Sequence, residues 1–258
     1  KRDVVLHKDT LVEMNISIQE TSFIVDNVVV TANKYETKQK EVATIVNVIS
    51  PLIIESTTSN TIADVLSFQT GLRIEETCSN CGVPQIRING LEGQYTQILM
   101  DSRPIFSSLA SVYGLEQLPT GMVDRIEVIR GGGSALFGAN AIAGVVNIIT
   151  KEPTRNFFNI NQSNAFTQSG SYDINTSING SIVSENQKAG IYLFGVQRNR
   201  QHYDRDDDGF SDIPHINSTT VGFRSFFKTS DYSKLVAEYH HTTEFRRGGY
   251  GIDSLQPH

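Results

Sequence analysis

An acidic stretch in the last quarter of the chain carries the residues best suited to binding a metal ion. Oxygen side chains stand at positions 1, 3, 5 and 9 of this stretch, with glycine at position 6, as in the front half of an EF-hand: Asp204, Asp206, Asp208 and Asp212. His215 occupies position 12, where an EF-hand has a bidentate glutamate, so a complete EF-hand is not predicted. Because clustered carboxylates repel one another unless a cation binds or water solvates them, two alternatives stay open, a calcium site and a solvated acidic loop.

The two cysteines, Cys78 and Cys81, form a single CxxC pair. A zinc site needs two further ligands, and none stands at metal-binding spacing; a thioredoxin-type motif needs its own βαβ setting. A local disulfide in an oxidising compartment fits the pair better.

The remaining candidate motifs are better explained by a structural role than by a chemical one. His240 and His241 are neighbours on an alternating segment, so they face opposite sides and cannot bind one haem together. The run Gly131-Gly132-Gly133 lacks the Gly-Lys-Ser/Thr ending of a P-loop, and it predicts a tight strand-to-helix turn with positive φ. No nucleophile–base pair or carboxylate dyad stands out, so we expect no enzyme activity.

Composition excludes two broad classes of protein. The 258 residues carry a net charge of −6 that is not concentrated in one block, which argues against a nucleic-acid surface. No segment approaches the roughly 20 apolar residues of a spanning helix. A membrane β-barrel stays open, because its strands alternate and form no apolar run.

Residues 23–153 read as a compact α+β unit. Thr61 and Asp64 have the spacing of a capping box before a short apolar helix that Gly71 ends. β-Branched runs separated by turn residues predict strands at 46–49, 85–89, 96–99, 124–129 and 144–150.

From residue 154 the chain alternates cleanly over segments of about 10–13 residues, the length of a tilted membrane strand. The segments are 154–166, 172–184, 188–200, 217–228 and 233–246. A soluble antiparallel sandwich also alternates and is the commoner structure. The connections favour the barrel, because two are tight whereas the one at 201–216 is long and rich in aspartate.

The glycine turn and the strand after it carry a family resemblance. Residues 130–138 and 144–151, read as RGGGSALFG and GVVNIITK, resemble the closing signature of the plug domain of TonB-dependent outer-membrane receptors. Further pieces precede them in the family's order, at 26–32, 62–71, 86–90, 99–104 and 123–129. The sequence departs only modestly from the family pattern. Gly132 stands where the family usually has proline, and Ile88-Asn89-Gly90 stands where it usually has a plainer arginine-glycine pair.

This resemblance implies an α+β plug domain at 23–153, followed at 154–258 by about the first five antiparallel strands of a transmembrane β-barrel, which has 22 strands in this family. The chain would then be an amino-terminal fragment of a longer receptor. Residues 1–22 resemble the end of the carboxypeptidase-regulatory-like domain of Bacteroidetes receptors, or a linker.

The resemblance also implies roles for individual residues. The TonB box would comprise Asp26, Asn27, Val28, Val29, Val30, Thr31 and Ala32. Ligand-facing plug loops would include Cys78, Ser79, Asn80, Cys81, Leu91, Glu92, Gln94, Tyr95, Phe106, Ser107 and Tyr113. Plug–barrel ion pairs would involve Arg87, Arg125, Glu127 and Arg130. The acidic loop resembles the calcium-binding extracellular loop of vitamin B12 receptors.

The function so implied is TonB-dependent transport of a scarce, bulky nutrient across the outer membrane of a Gram-negative bacterium. A corrinoid such as vitamin B12 ranks first, then haem, then a ferric siderophore. The expected partners are the TonB energy-transducing complex, the outer membrane and the ligand, with a surface lipoprotein left open and no nucleic acid. The alternative is a soluble β-rich binding or adhesion module without transport activity.

Overall fold

The computed structural model describes residues 29–31, 37–38, 45–57, 59–76, 84–104, 115–116, 118–132, 134–167, 170–230 and 233–252. The expectations for residues 1–22 and for the cysteine pair lie outside these residues. Two five-stranded sheets dominate: a mixed sheet within residues 45–150, here called the plug region, and an antiparallel sheet after it, here called the wall sheet.

The strands of the mixed sheet are β3 (Val46–Ile49), β6 (Thr96–Met100), β7 (Arg103–Pro104), β8 (Val123–Arg130) and β9 (Gly144–Thr150). Their order across the sheet is β3-β8-β9-β6-β7. β6 and β9 run parallel, whereas the other neighbours are antiparallel. Predicted strands 46–49 and 144–150 are confirmed to the residue; the prediction over β6 is one residue short at one end, and that over β8 is one residue short at each end.

Smaller elements surround this sheet. Two hairpins pair β1 (Val29–Val30) with β2 (Thr37–Lys38) and β4 (Leu72–Glu76) with β5 (Pro84–Ile88). The helices are α1 (Pro51–Ser56), α2 (Ile62–Ser67) and α3 (Ser134–Phe137), with 3₁₀ turns at Gly93–Tyr95 and Thr120–Met122.

The local signals for two of these helices are confirmed. The Thr61 hydroxyl accepts from the Asp64 backbone at 3.1 Å and the Asp64 carboxylate accepts from the Thr61 backbone at 3.1 Å, so the predicted capping box begins α2. Gly131 adopts φ +92° just before α3, as the glycine run predicted. Sequence periodicity missed α1, which has six residues, although Pro51 at its first position is a start signal.

The wall sheet is a meander of β10 (Phe157–Phe166), β11 (Tyr172–Val183), β12 (Ala189–Arg200), β13 (His215–Ser230) and β14 (Ser233–Arg247). Each strand pairs with the next along the chain, in antiparallel register. All five predicted segments are therefore confirmed, with ends within three residues. No helix among the described residues is long and apolar enough to cross a bilayer.

The two faces of the wall sheet differ in polarity. The outward face exposes apolar side chains from every strand, including Phe158, Ile178, Leu193, Phe227 and Leu235. The inward face is largely polar, and its buried apolar side chains include Tyr192, Phe194, Ile216 and Phe226. Of these, Tyr192 and Phe194 belong to the core of the plug region. That core contains α2 and the centre of the mixed sheet, so plug region and wall sheet share one apolar cluster.

The wall sheet has a lower and an upper end. We call lower the end where the chain leaves β9, enters β10 at Phe157, and turns from β11 into β12 at 184–188. The acidic connection at 201–214 lies at the upper end, where β10 ends and β11 begins. Short turns at one end and a long loop at the other are typical of outer-membrane barrels.

Candidate functional site

The plug region and the wall sheet meet through ion pairs at different heights. At the upper end, the plug residue Glu116 lies between two wall arginines: its carboxylate is 3.9 Å from Arg198 and accepts a hydrogen bond from Arg246. The three side chains are only 8–11% exposed. Arg198 also binds Asp173 through two nitrogens, at 3.0 and 2.7 Å, so this network ties β11, β12 and β14 to the plug.

A second network lies lower on the wall. Arg224 of β13 donates to Asp101 of the plug at 2.5 Å and to Glu238 of β14 at 2.8 Å. Asp101 also accepts from the Thr150 backbone at 3.0 Å and from its hydroxyl at 2.7 Å. The strand register places Arg224 six residues below the partner of Arg198, or about 20 Å along the wall.

At the lower end, Lys234 of β14 contacts Glu152 at 2.7 Å, in the linker between β9 and β10. At all three heights the carboxylate that bridges to the wall belongs to the plug or its linker, and the cations belong to the wall. This fixed division of charge sets the height and rotation of the plug against these strands.

The charged plug residues singled out in the sequence lie elsewhere. Arg87 pairs with Glu75, and Arg130 donates to the backbone oxygen of Thr70. Arg125 contacts Asp124 and Glu127, each at 3.0 Å. Within the described residues these contacts stay inside the plug region, and pairing of the four residues with the barrel stays a prediction.

Sequence reasoning missed the residues that do cross the interface: Asp101, Glu116, Arg198, Arg224 and Arg246. The three arginines occupy inward positions of alternating strands, so strand parity could have identified them. Nothing local marks Glu116 or Asp101, because their partners are more than 80 residues away in the chain.

The amino-terminal segment contacts the plug sheet through Thr31. Its backbone nitrogen and hydroxyl donate to one oxygen of Glu127, at 2.8 and 2.7 Å, and its hydroxyl accepts from Asn147 at 2.7 Å. Glu127 and Asn147 face each other on β8 and β9 and are fully buried. Of the TonB-box residues, Val29, Val30 and Thr31 are described, and Asp26, Asn27, Val28 and Ala32 lie outside the described part.

One of the ligand-facing loops of the sequence analysis is described. Leu91 and Tyr95 are 43% and 37% exposed, and Gln94 donates to Glu92 at 2.8 Å. This loop enters β6 at the end opposite to the Asp101–Ser102 turn. The other predicted loop residues, Cys78, Ser79, Asn80, Cys81, Phe106, Ser107 and Tyr113, lie outside the described residues, as does any pairing of the cysteines.

The acidic loop brings three carboxylates together. One oxygen from each of Asp204, Asp206 and Asp208 lies within 4.8 Å of the others. Asp204 also accepts from the backbone nitrogens of Asp207 and Gly209, each at 2.8 Å, and Asp212 accepts from Arg205 at 2.8 Å. Converging carboxylate oxygens suit a hard cation such as Ca²⁺, but calcium binding stays a prediction.

The adjacent histidines take different environments. His240 contacts Glu238 at 2.5 Å on the inward face, beside the ring of Phe194. His241, next along the strand, lies 3.3 Å from the hydroxyl of Thr243. Their separation onto opposite faces is therefore confirmed.

A polar cavity of about 510 Å³ separates part of the plug region from the first wall strands. Its wall side is lined by amides and hydroxyls, among them Asn159, Asn161, Asn175, Ser177 and Asn179, and its plug side by α1 and residues 119–123. A space with these groups suits ordered water.

Comparisons with known proteins agree with this architecture. Residues 38–145 match the family model described as the TonB-dependent receptor plug domain. The vitamin B12 transporter BtuB of Vibrio vulnificus strain CMCP6 is 36% identical over 125 residues, which cover 48% of this chain and 20% of the relative. BtuB of V. vulnificus strain YJ016 is 29% identical over 176 residues, covering 65% and 28%. The chain thus spans less than a third of these relatives.

Solved structures show the same fold at lower identity. The siderophore receptor PirA from Acinetobacter baumannii superposes with a TM-score of 0.67 and 21% identity, over 81% of this chain and 32% of that one. The pyoverdine outer-membrane receptor FpvA from Pseudomonas aeruginosa superposes with a TM-score of 0.68 and 13% identity, over 86% and 31%. Residues 38–145 are thus a TonB-dependent receptor plug domain, and the wall sheet that follows shares its fold with outer-membrane receptors of known structure.

Proposed function

We propose that the complete receptor transports a scarce, bulky nutrient across the outer membrane, driven by the TonB complex. The observation that carries this proposal is the docking of Thr31 on the plug sheet by side-chain hydrogen bonds. An extended segment held in this way can be released and can add as a strand to a partner's sheet. Residues 26–32 would be the segment that TonB takes up, and the role is transport rather than catalysis.

A corrinoid such as vitamin B12 is the ligand that we place first. The relatives that support it are named vitamin B12 transporters and reach 36% identity. Haem and a ferric siderophore follow, the latter because the structural neighbours include siderophore receptors, at 13–21% identity. The exposed loop at 91–95, together with residues 78–84 and 105–113, would contact the ligand.

The ligand is tested by a binding panel on the complete purified receptor. Cobalamin, haem and a set of ferric siderophores are titrated by calorimetry, each with calcium and with a chelator. We expect saturable binding of cobalamin and no comparable binding of the other two classes. Binding of haem or of a siderophore instead would replace the corrinoid, and a complete protein that stays soluble without detergent would support the binding-module alternative.

The TonB box is tested by deletion of residues 26–32. We expect energised uptake to be lost while ligand affinity is unchanged, because the deletion removes none of the predicted ligand-facing loops. Uptake at the wild-type rate after the deletion would contradict the assignment of residues 26–32 as the TonB box. A matched deletion of equal length in the carboxyl-terminal half of residues 1–22 controls for shortening of the amino terminus.

Calcium binding is tested on the acidic loop itself. The double substitution Asp206→Asn/Asp208→Asn removes two of the three converging carboxylates, so we expect calcium affinity to fall at least about tenfold. Calorimetry that detects no calcium binding by the unmodified receptor would leave the loop as a solvated acidic segment.

Co-purification with a tagged receptor tests for the surface lipoprotein.

A further inference from the structure

The polar cavity between the plug region and the wall sheet has an ordered pattern of side chains on its wall side. Three successive cross-strand pairs of β10 and β11 line it: Asn159–Asn179, Asn161–Ser177 and Ser163–Asn175. In the strand register, Asn179 and Asn175 pair in turn with Phe194 and Arg198 of β12. The cavity therefore lies along the middle part of the wall, and no residue of the exposed loop at 91–95 lines it.

All the side chains of these pairs are uncharged amides or hydroxyls, which can both donate and accept hydrogen bonds. Among the described residues, the charged ones that line the cavity are Glu55 and Lys151, whose opposite charges cancel. The lining therefore selects neither an anion nor a cation. It suits a neutral ligand that is itself rich in groups that donate and accept, such as hydroxyls.

The plug side of the cavity adds apolar surface. Pro51 and Ile54 of α1 line it, together with Pro119 and with Val123 at the start of β8. A saccharide ring carries hydroxyls around its edge and C–H groups on its faces, so it can meet a polar wall and an apolar one at once. A site that combines apolar surface with a few placed polar groups is typical of small-molecule binding.

One amide of the lining lacks a hydrogen-bond partner. Asn175 is 8% exposed, and its side-chain oxygen has no partner among the described residues. An unpaired buried amide group is unfavourable, because the folded chain does not replace the hydrogen bond that water gave it. A ligand hydroxyl in the cavity would supply the missing donor.

The size of the cavity also fits a small ligand. Its volume of about 510 Å³ lies within the roughly 300–1,000 Å³ that is usual for small-molecule sites. This volume corresponds to roughly 17 water molecules at about 30 Å³ each, which leaves room for one or two saccharide rings.

We propose that this cavity binds an uncharged saccharide of one or two rings. Its hydroxyls bond to the amides and hydroxyls of β10 and β11, and its C–H faces pack against α1 and Val123. Hydroxyls reproduce the hydrogen bonds of the water that they displace, so affinity is not lost in the exchange. The site is a second one on the receptor, separate from the loops proposed for the nutrient, and it does not depend on the proposed transport function.

The site is tested by titrating saccharides into the complete receptor, purified in a detergent without a sugar headgroup. The probes are glucose, maltose and sucrose, followed by saturation-transfer NMR, and radiolabelled maltose, followed by equilibrium dialysis. We expect saturable binding of at least one probe, with a millimolar or lower dissociation constant. Cobalamin affinity is measured on the same samples.

Two substitutions in the middle cross-strand pair test where the saccharide binds. Asn161→Leu removes one amide from the wall side, so we expect the dissociation constant to rise about tenfold, the effect of one lost hydrogen bond. Ser177→Phe fills the space with a ring, and saturable binding should be lost. Asn164→Leu is the matched control, because it makes the same change on the same strand at a residue that does not line the cavity.

The outcomes decide the proposal. If the unmodified receptor shows no saturable binding, the cavity holds water only and the proposal is overturned. Unchanged affinity in both cavity variants, or an equal loss in Asn161→Leu and Asn164→Leu, would also overturn it, because the saccharide would then bind elsewhere. If Ser177→Phe fails to assemble, Asn161→Leu carries the test, since Asn161 is exposed. We expect all these variants to keep the cobalamin affinity of the unmodified receptor, so the corrinoid proposal stands or falls on its own measurement.

Discussion

At the scale of single residues, the interface depends on carboxylates that the plug places between wall cations. Glu116 is the clearest case, because it is the plug's partner for two arginines that are themselves 8–11% exposed at the side chain. Removing one member of such a buried network leaves a charge without its counter-ion, which costs more than the pair contributes when intact.

Glu116→Gln should therefore loosen the plug from the upper wall. We expect the seated plug to lose about 3 kcal/mol of stability, the lower end of the usual cost of breaking a buried ion pair. The loss is limited because Arg198 keeps Asp173 and Arg246 keeps Glu244 as partners. The midpoint of urea-induced protease sensitivity of the plug measures this loss. Glu185→Gln, in the lower turn at 184–188, is a control of the same chemistry, and an equal shift in both variants would contradict the prediction.

Residue types alone predicted only part of this site. Glu127 is buried and contacts Thr31, which lies 96 positions earlier in the chain, so no local signal reports either fact. The acidic loop was predictable because its ligands lie within one short segment, where spacing alone brings the carboxylates together. Sequence reasoning therefore identified a cluster made locally and missed contacts made by folding.

At the scale of elements, β12 is the strand that fastens the wall to the plug. Tyr192 is 2% exposed, packs against Phe157 and Phe194, and donates its hydroxyl to the backbone oxygen of Gly121 at 2.7 Å. The 3₁₀ turn that contains Gly121 leads directly into β8, so this bond positions an inner strand of the plug sheet.

Tyr192→Phe keeps the ring and removes that one hydrogen bond. We expect a stability loss of about 1 kcal/mol, the net value of a typical intramolecular hydrogen bond. Tyr192→Ala should cost about 3–5 kcal/mol, because it also removes a buried ring from the shared core. Denaturant midpoints of the reconstituted receptor separate the two, and a Tyr192→Phe variant with the wild-type midpoint would show that the hydroxyl bond contributes nothing.

The outward face of the same strand is the lipid-facing side. Leu193→Arg should lower the free energy of unfolding by about 2–4 kcal/mol, because it places a cation at the middle of the apolar band. Gln197→Arg, on the same face near the strand end, should lower it by about 0–1 kcal/mol. Folding into lipid vesicles in urea measures both. Equal costs at the two positions would contradict the assignment of depth.

At the scale of the whole molecule, alternation and connection lengths were enough to predict the wall sheet, since an antiparallel meander pairs each strand with its neighbour in sequence. The order of the plug sheet was not predictable in that way. β6 pairs in parallel with β9 across more than 40 residues, and β3 pairs with β8 across more than 70, so only tertiary packing decides these neighbours.

The attachment of Thr31 has a mechanical consequence. β1 pairs with β2 in a separate two-stranded sheet, and the described contacts between Thr31 and the plug sheet are three hydrogen bonds to side chains. A load applied to residues 26–32 therefore meets these bonds before it meets any strand ladder of the five-stranded sheet. Under the proposed function, the segment could leave these bonds without disturbing that sheet, so binding of TonB and unfolding of the plug would be separate steps with separate force thresholds.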